Sequence, residues 1–243
     1  MHSEVEPPSL ASAASARVFR VALADPGTAL ARAPDVLSAG ELERAARFHF
    51  DRHRGRFVAS RVALRDVLAR HLACEPADLD FTTGPQGKPG LPGDPVHFNL
   101  SRSEDLCLIA LSDEAPIGVD VEFRREDPYL LKVARRFFSE TEVEELHGLV
   151  LAEQLPAFFR IWSRKEAYIK ALGLGLSLPL DSFDVSLERG DGARLLATRH
   201  EPSALGRWSL RELAAHPDYA AAVCLRAPFE VPALEDWPAG PGA

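Results

Sequence analysis

The hydrophobic pattern of the first half of the chain predicts a strand, then helices, then a run of short strands. Apolar and polar residues alternate over Val18–Ala24, which predicts the first strand. Ser38 is followed three residues later by Glu41, the spacing of a capping box, so we expect a helix from there through Phe48. A second helix is expected at about 56–72, and further strands are predicted at 79–82, 97–100 and 106–111.

The second half repeats this order. Alternation predicts a strand over Ile117–Phe123, and Ser139 with Glu142 repeats the capping-box spacing. A helix is expected from about Ala157 to Leu172, ended by Gly173. Later strands are predicted at 183–187, 194–198, 208–213 and 220–225. The pattern therefore predicts an α+β fold of two similar α/β halves, each with antiparallel strands packed against helices.

These predictions divide the chain into four segments. Residues 1–16 are rich in Ala, Ser and Pro and are expected to be a flexible N-terminal segment. The N-terminal half is expected at 17–115 and the C-terminal half at 116–228. Residues 229–243 are expected to form a C-terminal tail, since they end in Pro-Ala-Gly-Pro-Gly-Ala.

Composition narrows the class of protein. A chain of 243 residues with 46% apolar residues buries enough surface to fold without disulfides or zinc. The net charge of −8 argues against a nucleic-acid partner but is compatible with a local basic pocket. No apolar stretch approaches the roughly 20 residues of a membrane helix, no export signal is recognisable, and three widely spaced cysteines indicate free thiols. We therefore expect a cytoplasmic protein without a membrane partner.

Two acidic residues lie on one face of the predicted strand Gly118-Val-Asp-Val-Glu122. Because side chains alternate along a strand, Asp120 and Glu122 share a face with Cα atoms about 6.5–7 Å apart. Two carboxylates on one face repel each other unless a cation lies between them. An amphipathic strand with one face in water has the same pattern, so the strand alone leaves both interpretations open.

A third carboxylate and two lysines lie on the predicted helix Ala157–Leu172. Glu166 borders an apolar stripe, with Lys170 one turn further and Lys165 on the other side. Glu166 and Lys170 could be a surface pair worth about 0.2–0.5 kcal/mol. Alternatively, Glu166 joins Asp120 and Glu122 around an ion, and Lys170 faces an anion. Three oxygen ligands without a His or Cys cluster suit Mg²⁺.

A third cluster has the residue types that bind phosphate. Lys88 lies in a Gly- and Pro-rich turn over 87–92, and Ser101 and Arg102 are expected at a strand end. Hydroxyl, guanidinium and backbone N–H groups there could converge on a phosphate, although each segment alone could be an ordinary turn or polar strand end. The glycine-rich loops of common nucleotide-binding folds are missing from the sequence.

In this order and spacing, the motifs resemble the surfactin-type 4′-phosphopantetheinyl transferases. The similarity covers roughly residues 18–226 and rests on the following segments: Gly-Lys-Pro at 87–89, Phe-Asn-Leu-Ser at 98–101, Gly-Val-Asp-Val-Glu at 118–122, Trp-Ser-Arg-Lys-Glu-Ala-Tyr-Ile-Lys at 162–170 and Gly-Leu-Gly-Leu-Ser-Leu-Pro-Leu-Asp-Ser-Phe at 173–183. Each motif alone is weak, but five in sequence are specific.

The resemblance implies a monomeric pseudo-dimer with coenzyme A and Mg²⁺ in the cleft between its halves. It implies transfer of the phosphopantetheine arm to a serine of an apo carrier protein of the peptidyl, polyketide or fatty-acid type. By the family's pattern, Asp120, Glu122 and Glu166 hold the metal, and Glu166 and Lys170 are catalytic. The implied coenzyme-binding residues are Arg56, Lys88, Ser101, Arg102, Asp120, Lys165 and Lys170.

Two positions depart from the family's pattern. Family members usually have His where this chain has Arg102, and a basic residue near the position of Glu41. Arginine still pairs with phosphate and stays charged, so we expect binding to persist with altered geometry. At Glu41 one phosphate contact is expected to be either missing or supplied by Arg44.

Three further expectations concern mechanism and alternatives. Glu166 is the candidate base for the carrier serine, although the sequence leaves open whether it acts as ligand, base or both.

Residues 124–138 mix apolar and basic side chains and are expected to dock the carrier, although an amphipathic helix facing the core has the same pattern. The alternative functions are a Mg²⁺-dependent phosphohydrolase and a non-catalytic coenzyme A-binding protein.

Overall fold

The computed structural model describes residues 14–84 and 86–237, and the expectations for residues 1–13 and 238–243 lie outside this part. Six α-helices are described: α1 (Gly27–Val36), α2 (Ala39–Ala46), α3 (Asp51–Leu72), α4 (Leu130–Phe137), α5 (Glu140–Gly148) and α6 (Leu151–Leu172). The strands are β1 (Arg17–Ala22), β2 (Thr82–Thr83), β3 (Pro89–Gly90), β4 (His97–Ser103), β5 (Leu106–Ser112), β6 (Ile117–Phe123), β7 (Phe183–Val185), β8 (Leu195–Thr198), β9 (Ser209–Glu212), β10 (Tyr219–Leu225) and β11 (Leu234–Asp236).

The strands form two principal sheets. The first has the order β11-β1-β5-β4 and the second the order β6-β10-β9, while β2–β3 and β7–β8 form small ribbons. All pairs are antiparallel except β1–β11, which is parallel. One core lies between the first sheet and α1–α3, a second packs α6 on the second sheet, and a third, which includes Val18, Leu108, Val119 and Val223, joins the two sheets. The predicted α+β class with antiparallel sheets is confirmed.

Local signals explain three of the helix ends. Both capping boxes are present, with the Ser38 and Ser139 hydroxyls each accepting from a backbone N–H three residues on. Gly173 ends α6 with a φ of 72°, a left-handed conformation that favours glycine. α3 and α6 begin earlier than predicted, at Asp51 and Leu151. α1, which contains Pro34 in its last turn, was not predicted from the sequence.

Residues 234–237 correct the prediction of a C-terminal tail over 229–243. β11 pairs in parallel with β1, from Val18 opposite Leu234 to Arg20 opposite Asp236. Arg20 also forms an ion pair with Asp236 at 2.6 Å, and the ring of Trp237 packs edge-on against Phe19 at 5.6 Å. This segment therefore belongs to the first sheet, a pairing across more than 200 residues that no local pattern indicates.

Side chains, rather than a backbone ladder, join β4 to β6. Alternate residues of β4 face β6 and form hydrogen bonds to it. We call this set the β4–β6 ladder: Asn99 Oδ1 accepts from the Val119 N–H at 2.9 Å, Ser101 Oγ donates to Asp120 Oδ1 at 2.8 Å, Ser103 Oγ donates to Glu122 Oε2 at 3.0 Å, and Ser103 Oγ accepts from the Phe123 N–H at 3.1 Å. The ladder joins the end strand of the first sheet to the end strand of the second.

Gly118 allows β6 to lie directly against α6. A Cβ atom at this position would lie 2.2 Å from the Ala167 carbonyl oxygen and 2.3 Å from the Ala171 nitrogen. Because Gly118 shares a face of β6 with Asp120 and Glu122, the close approach turns both acids toward α6. None of the helices in the described ranges is long and apolar enough to cross a membrane.

Candidate active site

Asp120 lies at the centre of the site, on the face of β6 that packs against α6. Its side chain is buried, and its Oδ1 atom accepts from Ser101 Oγ at 2.8 Å and from Lys170 Nζ at 2.6 Å. Its Oδ2 atom is also buried but has no hydrogen-bond partner among the described residues. A buried carboxylate oxygen without a donor is costly, so it indicates a position where a cation or donor binds.

Glu122 and Glu166 share the electrostatic environment of Asp120. Burial and the charge of Asp120 raise the pKa of Glu122 to about 7, with a smaller contribution from Glu166. Burial and the charge of Asp120 likewise raise the pKa of Glu166 above its ordinary value. Within residues 14–84 and 86–237, no three His, Cys, Asp or Glu side chains are close enough to form a ready-made metal site. The charges of Asp120, Glu122 and Glu166 thus influence one another, but the three side chains do not form a compact set of ligands in this structure.

Lys170 connects α6 to the acids of β6 and to β4. Its Nζ donates to Asp120 Oδ1 at 2.6 Å and to Ser101 Oγ at 2.9 Å. Burial alone lowers the pKa of Lys170, but the charge of Asp120 and the hydrogen bond to it raise the pKa above its ordinary value. The alternative of a simple surface pair between Glu166 and Lys170 is wrong, because the ammonium reaches across to β6.

A cavity of about 780 Å³ opens beside Lys170. Its walls come from α2, α3, β2 and β4 together with Lys170 of α6. Five basic and two acidic side chains line it: Arg44, Arg61, Arg65, Arg102, Lys170, Glu41 and Asp80. The cavity thus carries a positive local charge in a chain whose net charge is −8, which is the electrostatic character of an anion site.

Arg102 projects into this cavity from β4. Its guanidinium donates to Ser60 Oγ at 3.1 Å and lies 5.3 Å from the centre of the Phe57 ring. Burial lowers the pKa of Arg102, and the nearby charges of Arg44 and Arg61 lower it further. No carboxylate pairs with Arg102 or Arg44 in the described part of the chain. Both guanidinium groups are therefore available to an anionic ligand.

Lys88 lies in the turn between β2 and β3 but directs its ammonium away from the large cavity. Its Nζ donates to two backbone carbonyls, that of Ile117 at 3.1 Å and that of Lys170 at 2.7 Å. Burial lowers its pKa to about 8. Its neighbours Gly87 and Pro89, rather than Lys88 itself, line the cavity. In this structure Lys88 ties the turn to the C-terminal end of α6.

Arg56 is engaged by carboxylates of the turn between β4 and β5. Its NH2 atom lies 2.8 Å from Glu104 and 2.7 Å from Asp105, and its side chain is 8% exposed. Arg56 is not one of the residues that line the 780 Å³ cavity. Its observed contacts therefore fix the end of β4 against α3.

The structure places Lys165, which was predicted to bind the coenzyme, away from the large cavity. Its side chain is completely buried in the second half, where its Nζ lies 2.7 Å from Glu142 and donates to the carbonyls of Leu180 at 2.7 Å and Phe183 at 2.6 Å. These acceptors satisfy all three donors of the ammonium. Neighbouring residues of a helix point about 100° apart, so Lys165 faces the core although the adjacent Glu166 faces the site.

Sequence analysis missed Arg61 and Arg65 on the cavity wall. They are one turn apart on α3, and both pair with Glu41, at 2.5 Å and 2.8 Å. The spacing of two arginines at i and i+4 opposite a capping-box glutamate is a signal that could have identified them.

A smaller pocket of about 220 Å³ lies beside Glu122. Its apolar lining includes Leu130 of α4 and Phe158 and Trp162 of α6, while Glu122 and Arg125 also line it. Glu122 thus lines this mixed pocket and is not among the residues that line the 780 Å³ cavity.

Comparison with known proteins relates the sequence to one family. The sequence model of the 4′-phosphopantetheinyl transferase superfamily matches residues 116–224. The chain is 37% identical over 213 residues to the 4′-phosphopantetheinyl transferase HetI of Nostoc sp., covering 86% of each chain. It is 36% identical over 194 residues to the 4′-phosphopantetheinyl transferase Sfp of Bacillus subtilis, covering 79% of this chain and 83% of the relative. It is 38% identical over 185 residues to the 4′-phosphopantetheinyl transferase psf-1 of Bacillus pumilus, covering 73% and 76%.

Relatives of this identity, matched over most of their length, define an enzyme that transfers phosphopantetheine. The chain belongs to the surfactin-type 4′-phosphopantetheinyl transferase family. The resemblance carried by the five short motifs is confirmed.

Proposed function

We propose that this site transfers the phosphopantetheine arm of coenzyme A to a serine of an apo carrier protein and releases adenosine 3′,5′-bisphosphate. The observation that carries the proposal is the position of Lys170. Its ammonium lies between the buried carboxylate of Asp120 and a cavity lined by arginines. A diphosphate at the end of this cavity would meet both a cation and a cluster of acids suited to a divalent ion.

We propose that Asp120, Glu122 and Glu166 hold Mg²⁺ when the coenzyme is bound. Two observations support this. The buried Oδ2 atom of Asp120 has no hydrogen-bond partner in the described chain, and a divalent cation would bind it. The pKa values of Glu122 and Glu166 are raised, and a divalent cation would offset the repulsion that contributes to this. Oxygen-only donors fit a hard cation that shares its shell with phosphate. Bound there, the ion would neutralise charge on the diphosphate.

The residues of the chain have separate tasks in this reaction. The carrier serine oxygen forms a bond to the phosphorus nearest pantetheine, and the bond from that phosphorus to the bisphosphate oxygen breaks. Lys170 is positioned to offset negative charge on the diphosphate. Glu166 accepts the serine proton. Its burial supports this role, because a raised pKa makes a carboxylate a stronger base near neutral pH. Ser101, which bonds both Asp120 and Lys170, orients the two groups.

We further propose that residues 17–115 and 116–228 are the halves of a pseudo-dimer with the active site in the cleft between them. Each half contains a 22-residue helix, α3 or α6, that ends at a residue with positive φ. In each half the capping-box glutamate pairs with a cation of that helix, Glu41 with Arg61 and Arg65, and Glu142 with Lys165. Since one chain supplies both walls of the cleft, the proposed unit is a monomer. Its free cysteines Cys74, Cys107 and Cys224 support a cytoplasmic location.

We propose α4 and the preceding residues 124–129 as the docking site for the carrier. Leu130 and Ala134 face the core, whereas Arg135 and Arg136 are exposed, and the side chain of Tyr129 just before the helix is largely in solvent. Basic side chains with an exposed aromatic ring, on an element that also lines the pocket at Glu122, suit an acidic partner with an apolar contact.

Charge reversal tests this docking site. Replacing Arg135 and Arg136 by glutamate is expected to raise the apparent KM for the carrier by about tenfold, because opposing charges then repel, with the KM for coenzyme A retained. Reversing the exposed arginines Arg189 and Arg194 changes the net charge equally and serves as the control. An unchanged carrier KM would show that the carrier binds elsewhere.

The function itself is tested by intact-mass analysis of a panel of apo carriers of the peptidyl, polyketide and fatty-acid types after incubation with coenzyme A and Mg²⁺. We expect at least one carrier to gain the mass of a single phosphopantetheine arm, with stoichiometric release of adenosine 3′,5′-bisphosphate. A carrier whose acceptor serine is replaced by alanine is the control. Release of the bisphosphate without any carrier would instead indicate a phosphohydrolase, and coenzyme binding without product would indicate a non-catalytic binding protein.

A further inference from the structure

Glu41 is a carboxylate inside the basic 780 Å³ cavity. It lies in the first turn of α2, where its backbone and side chain complete the capping box with Ser38. Its side chain is 12% exposed and lines the same 780 Å³ cavity as Arg44, Arg61 and Arg102. Burial raises its pKa, but Arg61, Ser38 and Arg65 together lower the pKa below its ordinary value.

Both carboxylate oxygens of Glu41 are occupied by arginine. Oε1 accepts from Arg61 Nε at 2.6 Å and lies 2.5 Å from Arg61 NH2, while Oε2 accepts from Arg65 Nε at 2.8 Å. Arg61 thus directs one planar edge of its guanidinium, through Nε and NH2, at Glu41 Oε1, and this is an edge with which a phosphate could also pair.

The two arginines differ in what else they contact. Arg65 also donates to the carbonyls of Pro76 at 2.8 Å and Leu79 at 3.0 Å, and only 2% of its side chain is exposed. Arg65 is therefore part of the protein framework. Arg61 has no other carboxylate partner in the described ranges, and its guanidinium lies 4.6 Å from the centre of the Phe81 ring on the cavity wall. Arg61 alone could exchange Glu41 for a ligand.

We propose that Glu41 is an internal competitor for the phosphate groups of the ligand, which holds Arg61 on the cavity wall and thereby weakens the binding of phosphorylated nucleotides. This inference rests on the proposed function, in that coenzyme A and adenosine 3′,5′-bisphosphate are the occupants of the cavity. Arg44 and Arg102 provide the other cationic contacts in the cavity, and neither forms an ion pair with a carboxylate in the described chain.

Weaker binding of the phosphates can favour turnover. The phosphates of the coenzyme's nucleotide are present in substrate and product alike. Tight binding of them therefore stabilises the ground state and the transition state equally, which lowers KM without raising kcat. It also slows the departure of the bisphosphate, and product release limits turnover in many enzymes. Glu41 would therefore lower the affinity for the nucleotide and speed the release of the bisphosphate.

The test is the variant Glu41→Gln, which removes the charge and preserves the capping box, since glutamine serves equally at this position. We expect isothermal titration to show adenosine 3′,5′-bisphosphate binding about five- to tenfold more tightly, the effect of one additional charge-assisted contact in screened solvent. In steady-state assays the KM for coenzyme A should fall and kcat should not rise. Adenosine, which has no phosphate, should show no gain.

Two further variants separate the proposal from a general charge effect. Glu43→Gln makes the same charge change on the same helix, at an exposed residue paired with Arg47 outside the cavity, and should leave the affinity for the bisphosphate unchanged. The double variant Glu41→Gln with Arg61→Gln should lose the gain, because the released guanidinium is its source.

Opposite results would overturn the proposal. If Glu41→Gln binds the bisphosphate more weakly, Glu41 positions Arg61 for the ligand instead of competing with it. If Glu41→Gln does not fold, the variant Arg61→Gln is measured instead. A loss of affinity for the bisphosphate below about threefold is expected if Glu41 already occupies the guanidinium. A loss above about tenfold would show that Arg61 binds the phosphate in the wild type and would overturn the proposal. Failure of the proposed function is separate, because a wild-type protein that binds no bisphosphate, or transfers no arm to any carrier, would show it directly.

Discussion

Replacing Glu166 by alanine is expected to reduce transfer to the carrier by about 10³-fold or more, the combined effect of losing a base and a metal ligand. The fold should survive. Burial and the charge of Asp120 raise the pKa of Glu166, so its ionised form is disfavoured in the folded protein, and its removal relieves repulsion among the acids. We therefore expect a thermal midpoint equal to or above that of the wild type, measured beside the transfer rate.

A matched control lies on the same helix. Glu153 is in the first turn of α6, half-exposed, and pairs with Arg189 at the surface. Glu153→Ala should retain full transfer. Glu166→Gln then separates the two roles of Glu166, because it keeps an oxygen for a metal but cannot accept a proton. Recovery of this variant by added Mg²⁺ would indicate a ligand, and no recovery a base. Full transfer by Glu166→Ala would remove Glu166 from the mechanism.

Replacing Gly118 by alanine is expected to destabilise the protein by about 3 kcal/mol, at the upper end of the typical cost of overpacking. The added Cβ would lie 2.2 Å from the Ala167 carbonyl oxygen, so β6 and α6 must move apart. The position of the Cβ atom is fixed by the backbone of β6, and the atoms that it meets are backbone atoms of α6. No rotation of a side chain therefore relieves the clash. Denaturant unfolding should show the loss as a lower midpoint with an unchanged slope.

Gly148 provides the control for this substitution. It is the last residue of α5, and an added Cβ there meets no atom within 4 Å. Gly148→Ala should therefore be neutral or stabilising, by at most about 1 kcal/mol, since alanine favours a helix. A Gly118→Ala variant as stable as the wild type would show that β6 and α6 do not depend on this close approach.

Elements with strong local signals could be predicted from the sequence, and those formed by distant contacts could not. The alternation over Ile117–Phe123 and the two capping boxes correspond directly to β6, α2 and α5. α1 was missed because Pro26, Gly27 and Pro34 are typical of turns, and it forms because Ala29, Ala33 and Val36 pack in the first core. β11 was missed because its partner β1 lies at the opposite end of the chain.

The site shows the same division. Spacing alone indicated that Asp120 and Glu122 share a face, and the close contact at Gly118 determines that this face meets α6. Spacing could not determine which cations reach the ligand. Lys165 is satisfied inside the core by Glu142, Lys88 by two carbonyls, and Arg56 by Glu104 and Asp105. These partners come from other elements, so only the tertiary structure identifies them.

The β4–β6 ladder restricts how the length of this chain can change. On β4, Ser101 and Ser103 bond the acids of β6, and they alternate with Arg102, which bonds Ser60 of α3. Inserting or deleting a single amino acid between Asn99 and Ser103 would exchange these two rows, so that the hydroxyls would turn toward α3 and the guanidinium would meet the acids. We therefore expect insertions and deletions among relatives to be confined to the turns that flank β4, and the strand itself to keep a constant length.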